Sequence, residues 1–205
     1  MDLNFTRHGI VKKLSAILCV VVLTACASQT GQMAGKGAAM GAVVGSVGGL
    51  VSGLVFGGNV AESAARGAVW GASTGAAAGA ISGSQADQAK KAQRDAKIER
   101  LKADLGDDAY NGLAALAHCK YDVALRHAQK ASQLENKNYA LAGLWIEVLT
   151  RADHREEDKA RALFPNLVAK DPKISTESQA EEKMRESLQK LMEIREEYNL
   201  PRVCS

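Results

Sequence analysis

The sequence predicts an all-α chain: a glycine-rich helical hairpin of the membrane-spanning type, a charged connecting helix, and a small domain of repeated helix pairs. Three observations predict it. Glycine recurs at every fourth position in two runs, Gly37, Gly41, Gly45, Gly49, Gly53 and Gly57, then Gly67, Gly71, Gly75, Gly79 and Gly83. Apolar residues after position 84 keep helical rather than alternating spacing. The two halves prefer different surroundings, since nearly all the glycine lies before residue 84 and nearly all the charge after it.

Residues 1–25 come first. Arg7, Lys12 and Lys13 precede an apolar run from Leu14 to Leu23, and small residues follow at Thr24 and Ala25. This is the charged, apolar and cleavage-site order of a secretory signal. At about ten residues the apolar run is too short to span a bilayer. Leu23-Thr24-Ala25-Cys26 resembles the lipobox of a bacterial lipoprotein signal. The resemblance implies that Cys26 becomes the first residue and carries acyl chains, making membrane lipid a partner. By resemblance to enterobacterial sorting rules, Ala27 and Ser28 imply the outer membrane, because no retention aspartate follows the cysteine. Residues 26–34 form the anchor and tether.

Residues 35–83 form the hairpin. In water eleven glycines would cost a helix roughly 10 kcal/mol relative to alanine. A bilayer reverses that preference, because a helix satisfies every backbone polar group where water is absent. Residues 37–57 hold no charge and extend about 31 Å as a helix, close to the hydrocarbon thickness. Spacing of four puts the glycines on one face, so two such helices can bring their backbones close. Gly57-Gly58-Asn59 reads as the turn, and Glu62 can pair with Arg66 just beyond it. A flexible linker is disfavoured by the interleaved Met40, Val43, Val44, Val47, Leu50, Val51, Leu54, Val55, Phe56 and Trp70. An amphipathic helix lying on a membrane surface is disfavoured by the absence of a lysine-rich polar face.

Residues 31–83 resemble the glycine-zipper hairpin of many Gram-negative outer-membrane lipoproteins, which a polar helix often follows. That helix corresponds to residues 84–105, highly charged, with Ala86, Ala89, Ala92, Ala96, Ile98, Leu101 and Leu105 near one face. It is expected to be solvated and to end at Gly106, with Asp107 or Asp108 capping the next helix.

Residues 106–205 form the last domain. The stretch 121–138 resembles the second helix of a tetratricopeptide repeat, with Ala124, Ala128, Ala131 and Asn136 in register and Gly112 twelve residues before Ala124. The frame recurs at Ala160, Phe164, Leu167 and Pro172, although Ile146, Ala115 and Leu149 depart from the pattern. Helix pairs are therefore expected at about 107–138 and 139–173. A capping helix over 176–199 follows, started by Ser175 and turning Met184, Leu188, Leu191, Met192 and Tyr198 inward. The resemblance implies a surface that binds a protein or peptide in the periplasm.

Cys19 leaves with the signal and Cys26 takes the lipid, so Cys119 and Cys204 remain as thiols in an oxidising compartment and are expected to pair. Removing Arg7, Lys12, Lys13 and Asp2 from 26 basic and 23 acidic residues leaves a net charge of +1. That gives no reason to expect nucleic acid. His118, Cys119, His127 and Cys204 match no paired-ligand zinc spacing, so no metal is expected. The carboxylates Glu156, Glu157, Asp158, Glu181 and Glu182 occur in runs typical of solvated helix faces. No serine-nucleophile elbow or phosphate loop is present, and neither enzyme activity nor a cofactor is expected.

The function expected is a lipid-anchored envelope scaffold or adaptor. Its zipper would pack with copies of itself or other membrane helices, and its last domain would hold a partner protein. The competing expectation is a pore-forming or membrane-remodelling oligomer assembled through the hairpins.

Overall fold

A computed structural model describes residues 30–59, 62–65, 67 and 84–204. Every regular element among these residues is helical, in agreement with the all-α expectation. The helices are α1 (Thr30–Phe56), α2 (Ser84–Leu105), α3 (Asp107–Ala117), α4 (Tyr121–Ser132), α5 (Lys137–Asp153), α6 (Glu157–Arg161), α7 (Phe164–Lys170) and α8 (Glu177–Glu197). Residues 62–65 and 67 are helical as well. Among the described residues no helix is long and apolar enough to cross a membrane. The chain divides into two units, Met1–Gly37 and Ala38–Ser205. All contacts described below lie within the second.

The centre of the fold is α5. Every residue from Leu141 to Thr150 is buried, and Ala152 follows. A stretch this apolar all round has to be covered on several sides. Accordingly α3 and α4 pack on α5 as a layer, α2 lies across α3 and α5, and α7 and α8 close the far side. Trp145, Leu113, Leu116, Ile146, Leu149, Phe164, Leu167, Met184 and Leu191 form the fully buried interior. A methyl group at Gly143 would sit 2.5 Å from the Ser132 backbone nitrogen and 2.6 Å from the Ala128 carbonyl, so glycine is what lets α4 approach α5.

The first helix pair forms as α3 and α4. A Cβ at Gly112 would meet His127 and the Ala124 carbonyl of α4 and Ile146 of α5 at 3.4–3.5 Å, ordinary van der Waals contact. The second pair differs from expectation, because its second helix is broken into α6 and α7. Pro165 is the physical reason: it has no N–H to continue the ladder, and the chain restarts with proline in the first turn of α7.

The helix ends require two corrections. α2 stops at Gly106, whose φ of 89° lies in the left-handed region. Neither Asp107 nor Asp108 then caps α3: Gly106 occupies the N-cap without a side-chain bond, and both aspartates lie inside the first turn. There they complement the helix dipole, while Asp108 also accepts from His127. The cap of α8 is Thr176 rather than Ser175, its hydroxyl accepting from the Gln179 N–H at 3.2 Å. Gln179 Oε1 accepts in return from the Ser175 N–H at 2.7 Å, a variant of the reciprocal capping box. Asn136 caps α5, its side chain accepting from the Asn138 and Tyr139 N–H groups.

Candidate functional site

The glycine-rich hairpin is the feature whose sequence demands an explanation, and α1 supplies its first arm. Within α1 the residues Val43, Val47, Leu50, Val51, Leu54 and Val55 are buried. At Gly57 and Gly58 the backbone takes φ values of 85° and 144°, which reverses the chain. Asn59 starts the second arm, its Oδ1 accepting from the Glu62 N–H at 3.1 Å. Arg66, the proposed partner of Glu62, lies outside the described residues. Phe56 is half exposed at the hairpin tip.

The arms meet backbone to backbone. A Cβ at Gly49 would stand 2.3 Å from the Ser63 carbonyl oxygen and 3.2 Å from the Gly67 Cα, and a Cβ at Gly67 would stand 2.2 Å from the Gly45 carbonyl oxygen. No side chain fits there, because the obstructing atoms are main chain and cannot rotate away. Gly37, Gly41 and Gly53 belong to α1 as well. Gly71, Gly75, Gly79, Gly83 and Cys26 lie outside the described residues.

The hairpin does not stand alone. One buried cluster joins the valines and leucines of α1 to Leu105, Leu113, Trp145 and Leu167 of the helical domain. Leu101 of α2 lies over Gly48, where an added Cβ would come 2.5 Å from Leu101 Cδ2. At the end of α1, Lys173 Nζ donates to the Val55 carbonyl at 2.9 Å. This carbonyl is one of the last in the helix, beyond the reach of the intrahelical ladder, and a cation there also complements the dipole.

Lys173 is itself held in place. Its ammonium is 2.6 Å from Asp171 Oδ1, and the Asp171 side chain is fully buried. The Trp145 Nε1–H donates to the other carboxylate oxygen, Oδ2, at 3.0 Å, and the Lys173 backbone N–H donates to Oδ1 at 3.0 Å. A buried carboxylate needs such partners to stay charged. Sequence reading missed Gly48, Leu101, Asp171 and Lys173 as a group. Gly48 stands outside the four-residue frame, and the other contacts join residues far apart in the chain.

A second polar cluster ties the end of the chain to the first helix pair. Arg195 is fully buried, pairs with Asp153 Oδ2 at 2.6 Å, and donates to the Leu116 carbonyl at 2.7 Å. Tyr121 donates to the same Asp153 oxygen at 3.0 Å. Burial first, then the neighbouring Asp153 charge, holds the Tyr121 hydroxyl well above the usual tyrosine pKa. Beside them Cys119 and Cys204 form the expected disulfide, with Cα atoms 5.7 Å apart. His118 is kept below the ordinary histidine pKa by burial, then by Lys120 and Arg195, and His127 Nδ1 lies 2.8 Å from Asp108. The four residues weighed as metal ligands are therefore divided between a disulfide and separate surroundings. Among the described residues no group of three metal-binding side chains occurs.

No curated protein and no solved structure is matched by the chain. Residues 10–87, a stretch that includes the whole glycine-spaced segment, match the model of the YMGG-like Gly-zipper family.

Proposed function

We propose that this protein is a lipid-anchored scaffold of the bacterial cell envelope, in which the glycine-packed hairpin provides membrane association and the helical domain holds a partner protein. The observation that carries this reading is the contact of Gly49 and Gly67 with opposing backbone. Close approach through small residues is the way helices associate where burial of apolar surface supplies little drive. The match to the Gly-zipper family over 10–87 supports it, as does the lipobox-like sequence ending at Cys26.

For the helical domain, the packing of α3 on α4 and of both on α5 supports a tetratricopeptide-like reading of the first pair. Binding of a peptide or helix by such a stack follows from that likeness.

Chemical crosslinking in native membranes tests the reading, comparing the full chain with one truncated after Gln88. Capture of a distinct protein by the full chain alone is the expected result. Capture of nothing but itself by both chains would move the role to the zipper and favour an oligomer.

A further inference from the structure

We propose that the helical domain is an internal docking partner for the zipper hairpin, gripping α1 through Leu101 at Gly48 and Lys173 at the Val55 carbonyl, and that the hairpin must leave this seat to enter a membrane. The second half of this statement rests on the membrane reading above; the first half does not.

Val47, Leu50 and Val51 have no exposed surface, and Val43, Leu54 and Val55 have almost none. A side chain covered by protein cannot face lipid at the same time. The covering is shared with a domain that carries charge on α2 and α8, and burying those helices in hydrocarbon would be prohibitive. Docked and inserted are thus exclusive arrangements of one hairpin.

The grip is specific at both contacts. Gly48 lies outside the four-residue frame, and its missing side chain leaves the space that Leu101 fills. At the other end the Lys173 ammonium reaches a carbonyl that has no partner within the helix, while the buried Asp171, fixed by Trp145, aims the ammonium. In hydrocarbon that carbonyl would need a different partner. The Lys173 contact therefore satisfies the α1 terminus only in the docked arrangement.

The test uses the full lipidated chain and two release variants, Lys173→Gln combined with Leu101→Ser, and Gly48→Leu. Leu101 and Lys173 are only partly buried, and Asp171 keeps its bonds from Trp145 and the residue-173 backbone N–H, so the domain is expected to keep its cooperative unfolding, which circular dichroism checks. Hydrogen exchange across residues 43–55 reads docking. Loss of a charge-assisted bond together with its apolar contact is expected to lower amide protection there about tenfold or more. Transfer to the membrane is read by tryptophan quenching in phosphatidylethanolamine and phosphatidylglycerol vesicles with brominated acyl chains. Of the two tryptophans, Trp145 is fully buried in the domain, so a rise in quenching reports Trp70.

Lower protection with stronger quenching in both variants supports the proposal. Unchanged protection in both variants overturns it. Lower protection without added quenching upholds the docking and overturns the membrane reading of the hairpin.

Discussion

Arg195 is the residue on which the end of the chain depends. Its guanidinium has no exposed surface, and Asp153 is nearly as deep. Removing one member of a buried pair leaves the other charge without compensation, so Arg195→Met is expected to cost about 3–5 kcal/mol in urea unfolding. Tyr121 adds a dependence on pH. Its hydroxyl holds the proton more tightly when folded than the unfolded chain does. The stability it contributes is therefore complete below the ordinary tyrosine value, about 10, and is lost as pH rises above it. Tyr121→Phe is expected to flatten the fall of the urea midpoint in that alkaline range, and an unchanged slope would contradict the assignment.

At the scale of elements the hairpin turns on the absence of two side chains. Gly49→Ala places a methyl against the Ser63 carbonyl, and Gly67→Ala places one against the Gly45 carbonyl. Either change forces the arms apart, and hydrogen exchange of residues 43–55 should rise. The end of α2 was legible because Gly106 stops it, and the start of α4 because Ala124, Ala128 and Ala131 share one helical face, although α4 ends at Ser132 and not at 138. The break between α6 and α7 is legible in Pro165, which stands inside the stretch that the repeat frame assigns to one helix. Caps were the weakest point. Asp107, Asp108 and Ser175 all had suitable chemistry, and only the path of the backbone decided that Gly106 and Thr176 would hold the positions.

At the scale of the molecule, what escaped the sequence was the seat of α1. Lys173 and Val55 are 118 residues apart, and no local pattern links a lysine after α7 to the end of a glycine-rich helix. The disulfide, by contrast, followed from the compartment implied by the signal. It joins residues separated by 85 positions, and its reduction, or the Cys119→Ser and Cys204→Ser pair, is expected to lower stability by about 4 kcal/mol or less in denaturant titration.

A lipid anchor at Cys26, as proposed, would bring the hairpin to a membrane and set the compartment of the helical domain. The most direct test compares the wild-type chain with Cys26→Ser by intact mass after membrane fractionation. The wild type should lose residues 1–25, gain the mass of acyl chains and sediment with outer membranes, whereas Cys26→Ser should gain no acyl mass and keep its signal. An identical mass and identical membrane residence for the two chains would contradict the lipid-anchored scaffold.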